Sequence, residues 1–158
     1  MRLKKAPLNT HGILKIEGHC IRPHAFSYLD LAAIHRYYQI PDMSKIDQRL
    51  SGVGVRLRKL IDIVGPDYRA AHLIIESEDG EFTASVPLRD VAKTAVVIYG
   101  AKAGAPLERE QGGPARLVIP YHPDKCANVK NLGRIVVSRT PGEDTRPSQH
   151  KGAAAAAS

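Results

Sequence analysis

The chain has 158 residues, with 23 Lys and Arg against 16 Asp and Glu, for a formal charge of +7. That length suits one domain with a sizeable core, and 43% hydrophobic with 25% charged residues is the balance of a soluble globular protein. No apolar run approaches the about 20 residues that span a bilayer, and the basic residues 1–7 lead into no apolar signal stretch, so a cytoplasmic protein without membrane contact is expected. The positive charge makes a polyanion a candidate partner. Yet the cations are spread along the chain, aromatics are 5% and no nucleic-acid motif occurs, so nucleic acid is not the expected partner. Cys20 and Cys126 lack the paired spacing of a disulfide framework or a zinc site and are read as reduced thiols.

Residues 12–18 alternate apolar and polar and end in glycine, which predicts a half-buried strand. Ser27 followed by Asp30 predicts a capped helix over about 27–36, with Leu29, Leu31, Ala32 and Ile34 as its apolar side. Residues 37–50 are weakly patterned and read as irregular strand and loop. Leu57, Leu60, Ile61 and Val64 recur at helical spacing over 55–64, and Gly65-Pro66 stops the helix. Residues 72–77 read as a buried strand, joined through an Asp79-Gly80 turn to a strand over 82–86. Pro87 opens a short helix reaching Val91, 95–98 and 116–119 are core strands, and 100–113 between them is a long loop. A last strand runs through Ile135. The segment 140–158, rich in Pro, Gly and Ala without an apolar face, is expected to be disordered. The division is an extension over 1–11, a domain over 12–139 and that tail. Strands interrupted by short helices, without regular alternation, make the fold class α+β with mixed or antiparallel sheets.

Several segments together resemble the molybdopterin-binding oxidoreductase domain of the sulfite oxidase family. They are Leu14-Lys15-Ile16-Glu17-Gly18, Arg22-Pro23, Phe26-Ser27-Tyr28-Leu29-Asp30-Leu31, residues 54–66 with Arg56 and Arg58, Glu78-Asp79-Gly80-Glu81, Gly104-Ala105-Pro106-Leu107, Gly112-Gly113-Pro114-Ala115-Arg116, and residues 128–135 around Lys130. The resemblance implies a thiolate ligand for molybdenum just before residue 54, a soft donor suited to that metal. Residues 39–50 hold no cysteine. The family's aromatic and acidic pocket pair falls on Gly100-Ala101, with Tyr99 one position away. His11 is the sole remnant of an N-terminal cofactor loop, and the tryptophan of the family's "VKW" is Asn131.

Fold residues persist where ligands are lost, which favours a degenerate member: an anion-, cofactor- or partner-binding module without molybdenum redox catalysis. No cofactor is then expected. The alternative is a molybdopterin-dependent oxidoreductase with a non-standard metal ligand. By the resemblance, Lys130 lies beside the pterin phosphate, with Arg116 and Lys125 as helpers. Arg116 opens a core strand, where a structural ion pair is the competing and favoured reading. Cys126, beside Lys125, is the candidate substitute ligand or reactive thiol, weighed against an ordinary cysteine. His122 and Asp124 are read as a surface turn, Cys20 as core, and Asp42, Asp47, Glu108 and Glu110 as solvated. The expected partners are a phosphate-bearing small molecule or another protein.

Overall fold

In the computed structural model, which describes residues 12–120, 128–142 and 145, apolar–polar alternation sets the first strand. β1 (Gly12–Gly18) buries Leu14 and Ile16 and exposes Lys15 between them. β2 (His24–Ser27) folds back antiparallel against it. Ser27 then caps α1 (Tyr28–Ala32) through a complete capping box: its hydroxyl accepts from the Asp30 N–H at 3.0 Å, and the Asp30 carboxylate accepts from the Ser27 N–H at 2.9 Å. A 3-10 turn at Arg36–Tyr38 leads to β3 (Gln39–Ile40), a second at Met43–Lys45 leads to β4 (Val53–Arg56), and α2 (Leu57–Val64) follows directly. The hairpin of β5 (His72–Ser77) and β6 (Thr83–Pro87) runs into α3 (Leu88–Ala92) and β7 (Val96–Lys102). Last come β8 (Ala105–Pro106), a 3-10 turn at Arg109–Gln111, β9 (Arg116–Val118) and β10 (Leu132–Ser138).

The strands form two sheets. One has the order β2-β1-β10-β5-β6, with β1 and β10 parallel and the other neighbours antiparallel. The other is antiparallel, with the order β3-β4-β7-β8 and β9 also paired to β7. This is the expected α+β arrangement of mixed and antiparallel sheets. Among the described residues, no helix is long and apolar enough to cross a membrane.

One large core joins Leu14, Ile16, Leu73, Ile75, Ile135 and Val137 of the first sheet to Val55, Val97, Tyr99 and Leu117 of the second, with Leu57, Leu60, Ile61 and Val64 of α2 filling the space. A smaller core of Ile40, Met43, Val96, Ile98, Leu107 and Val118 covers the other face of the second sheet. β7 is therefore buried on both faces, which is why it reads as an unbroken apolar run rather than an alternating one. Gly54 lets the smaller core close: a Cβ there would stand 2.6 Å from Val96 Cγ1 and 3.1 Å from Met43 Sδ.

Several boundaries differ from expectation for identifiable reasons. α1 ends at Ala32, and the Gln39 amide donates to the Leu31 and Ile34 carbonyls at 2.8 and 3.1 Å, occupying acceptors that a longer helix would use. Leu29 is 47% exposed and Ala32 is exposed, so only Leu31 and the half-buried Ile34 serve the predicted apolar side. α2 begins at Leu57 because Val55 and Arg56 pair with Val97 and Val96. Pro87 closes β6, opposite His72, before α3 begins. The predicted loop 100–113 contains the end of β7 and its hairpin partner β8, with Gly100 opposite Pro106. Along β6, the Thr145 N–H donates to the Thr83 carbonyl at 2.8 Å and the Gly142 N–H to Ser85 Oγ at 3.0 Å.

Tyr99 joins the large core to α1. Its hydroxyl donates to Gln39 Oε1 at 2.6 Å, its ring meets Tyr28 edge-on at 5.5 Å, and burial followed by the neighbouring Tyr28 phenol pushes its pKa from 10.0 up to about 12. The folded state thus favours the neutral phenol. That stabilisation is fully present below pH 10 and is lost as pH rises towards 12. Tyr99→Phe is expected to cost about 1–2 kcal/mol near neutrality, the worth of one hydrogen bond to a partly buried partner. Urea denaturation at neutral and high pH checks the sign: wild type loses its advantage over the variant above pH 10, and a pH-independent difference would contradict the assignment.

Candidate functional site

Two segments meet at the far end of β9. Leu117 and Val129 exchange backbone hydrogen bonds of 2.8 and 2.9 Å, and the Ile119 N–H donates to Asn128 Oδ1 at 2.9 Å. The Leu132 N–H donates to the Ala115 carbonyl at 2.7 Å, and β10 starts there. Because β9 is itself paired to β7, with Arg116 opposite Ile98, this corner is fixed to the doubly buried strand.

Asn131 closes the corner. Its N–H donates to the Gly112 carbonyl at 2.7 Å, its side-chain amide to the Gly113 carbonyl at 2.6 Å, and its own carbonyl accepts from the Glu78 N–H at 2.6 Å. Its φ of +53° is the left-handed conformation, which asparagine tolerates better than most side chains. The position where the resemblance led one to look for tryptophan is thus a polar clamp on the Gly112-Gly113 turn.

The clamp brings Arg116 and Lys130 together. Gly112 has φ +98°, and a Cβ on it would lie 3.1 Å from Arg116 Cδ and 3.3 Å from Lys130 Cγ, so both side chains flank one bare backbone position. Lys130 is exposed and Arg116 is half-buried. The ion pair expected for Arg116 is not formed with any described residue. Among the described residues, its Nε is the one buried side-chain nitrogen or oxygen without a hydrogen-bond partner. An unpaired buried donor of a charged group costs about 1–3 kcal/mol or more.

Other predicted residues fall elsewhere. Lys125, Cys126, His122, Asp124 and His11 lie outside the described residues. Cys20 is half-buried and packs against the edge of the large core; it sits in a groove of about 480 Å³ with His19, Ile21, Pro66 and Tyr68, and burial followed by the Glu17 charge raises its thiol pKa. Asp42 and Asp47 hold local turns through Ser44 and Arg49, and Glu108 forms a capping box with Gln111, so all three are engaged rather than merely solvated. A larger groove of about 610 Å³ runs over the first sheet past Lys15, Glu76, Glu78, Asp79, Pro114 and Arg134. Its cations are already matched: Arg134 holds Glu17 at 2.8 Å and Glu76 at 3.1 Å, and Lys15 holds Glu17 at 3.4 Å. Neither groove is lined by Arg116 or Lys130.

The segment expected to hold a metal ligand is committed to packing. Gln39 is tied to Tyr99 and α1, Ile40 is buried, and the one sulfur there, the Met43 thioether, is fully buried in the smaller core. Gly100 pairs with Val53 and Pro106, and Tyr99 points into the large core. Among the described residues, no three His, Cys, Asp or Glu side chains converge as metal ligands. The donor set at this corner fits an anion. Among the described residues it offers no thiolate for a molybdenum centre.

Two sheets with short helices make this an α+β domain, and one corner of it gathers Arg116 and Lys130 around a glycine turn. The chain belongs to the family described as the oxidoreductase molybdopterin binding domain, whose model matches residues 50–146. That match starts after the cysteine-free stretch 39–49 and includes Arg116, Asn131 and Lys130. Among solved structures, the chain is similar to the sulfane dehydrogenase SoxCD from Paracoccus pantotrophus, with a TM-score of 0.65 and 23% identity over 91% of this chain. It spans 41% of that SoxCD chain, and the likeness is one of fold. No curated protein sequence matches the chain.

The clamp has a graded consequence. Asn131→Gly keeps the left-handed backbone and loses only the amide contacts, at about 1 kcal/mol. Asn131→Ala adds about 1–2 kcal/mol of backbone strain. Thermal or urea unfolding should rank the variants wild type, glycine, alanine; alanine equal to glycine would remove the strain argument.

Proposed function

We propose that this domain binds a phosphate-bearing molecule at the Arg116–Lys130 corner and does not carry out molybdenum redox chemistry. It acts as an anion-, cofactor- or partner-binding module built on the fold of its family. The reading rests on one observation: a buried guanidinium Nε that has no partner among the described residues, beside an exposed lysine and a turn that carries no side chain. Phosphate attraction needs only positive charge and free donors, so it outlasts the loss of a metal ligand. The missing thiolate in residues 39–50 supports the other half of the proposal. Cys20 and Cys126 are then reduced thiols in a cytoplasmic setting.

Calorimetric titration of the full chain with inorganic pyrophosphate and with free molybdopterin, at low and moderate salt, tests the corner. Arg116→Ala and Lys130→Ala are each expected to weaken binding about tenfold, or 1.4 kcal/mol, and added salt to weaken it further. Equal binding by wild type and both variants, or none by any, would leave the domain as a scaffold. Metal analysis of protein from a molybdopterin-producing host is expected to give far less than one molybdenum per chain. Near-equimolar molybdenum that disappears in Cys126→Ser would establish the oxidoreductase with an unusual ligand instead.

A further inference from the structure

α2 carries two cations where its own field disfavours them. Arg58 and Lys59 occupy the first turn, which holds no acidic residue, and the positive end of a helix repels positive side chains. Among the described residues, no carboxylate comes within ion-pair distance of either, and Asp62, one turn further along, makes no ion pair. Elsewhere on the surface Arg49, Arg109, Arg134 and Arg139 each hold a carboxylate. The pair on α2 instead shares one aromatic ring: Arg58 Cζ lies 5.6 Å and Lys59 Nζ 5.1 Å from the Tyr38 centroid. Tyr38 packs against the large core, while Tyr37 stands edge-on to it at 5.0 Å and is 70% exposed. The stack joins the irregular segment before β3 to α2, and makes one surface of two unneutralised cations and a free tyrosine.

We propose that this surface docks an acidic segment of a protein partner, whose carboxylates pair with Arg58 and Lys59 while an apolar side chain packs on Tyr37. Charge complementarity selects the occupant: two cations placed against their helix dipole, without a carboxylate partner among the described residues, are relieved by external carboxylates. Arginine and tyrosine are also the residue types that dominate binding energy at protein interfaces. Single-stranded nucleic acid fits less well. Its binding sites stack successive bases on open aromatic faces, whereas Tyr38 is covered by the cations and the core, and Tyr37 alone is free.

Fluorescence anisotropy of the full chain tests the proposal, with a labelled peptide of repeated Glu-Glu-Leu triplets and a labelled oligothymidylate as probes. The peptide should bind at low salt, and Arg58→Glu/Lys59→Glu should weaken it by at least about tenfold. The charge-matched Lys45→Glu/Lys102→Glu should weaken it by less than about twofold, since both lysines are exposed and the cations on the Tyr38 ring are Arg58 and Lys59. Tyr37→Ala should weaken it about threefold. Losing the two Tyr38 contacts lowers stability while acidic side chains at a helix start raise it, so the thermal midpoint serves only to show that each variant is folded. Arg58→Gln/Lys59→Gln, which removes the charge without setting carboxylates on the ring, should also weaken the peptide at least about fivefold, and a folded glutamine variant that binds like wild type would overturn the proposal. No peptide binding, equal loss in the two charge-matched variants, or tighter binding of the oligothymidylate would overturn the proposal.

Discussion

The two-sided burial of β7 is the constraint on which the rest depends. Val97 and Tyr99 enter the large core while Val96 and Ile98 enter the smaller one, so this strand holds both together. Each buried side chain of this size contributes about 1.5–3 kcal/mol, and none can turn outward without emptying one core. The strand also sets the geometry around it. β4 pairs on one side and leads straight into α2; β9 pairs on the other and carries Arg116. Leu117 then binds Val129, which places Lys130. The Arg116–Lys130 corner and the cationic face of α2 both begin at residues registered against β7.

Much of this was legible in the sequence, and the exceptions share a cause. The Ser27–Asp30 capping box, the Leu57–Leu60–Ile61–Val64 stripe and the Asp79-Gly80 hairpin are local signals, written within a few residues, and the structure contains all three. Local pattern did not locate the end of α1, because the Gln39 amide that takes its carbonyls comes from the next strand. Nor did it show β8, whose pairing with Gly100 is a matter of register across a turn rather than of composition. The stack of Arg58 and Lys59 on Tyr38 spans about twenty positions and uses a segment without periodicity. Its signal was present only as two adjacent cations opening an uncapped helix.

The site shows the same division. Resemblance named Arg116 and Lys130, and the structure sets them on either side of Gly112. The expectation of an ion pair for Arg116 followed a sound general rule, that buried charges find partners. No described residue meets it, and the described segments around Arg116 spend their polar groups on each other: Asn128 on Ile119, and Asn131 on Gly112 and Gly113. Composition can state that carboxylates exist in the chain. It cannot state that none of the described ones faces this guanidinium.

Asn131 holds the turn that sets Arg116 and Lys130 side by side. A turn with Gly112 at φ +98° and a neighbouring glycine without room for a Cβ needs something to hold its carbonyls. A large ring at position 131 would cover the turn, whereas an asparagine grips it through hydrogen bonds and accepts the left-handed backbone itself. The turn is therefore held by hydrogen bonds from within the chain. A preorganised pair of cations costs little further ordering when an anion arrives. A metal centre is different: it needs a particular donor atom at a particular point, and here the strand before β4 spends Gln39 on α1 and Met43 on the smaller core. Charge tolerates such reassignment of residues; a thiolate ligand does not.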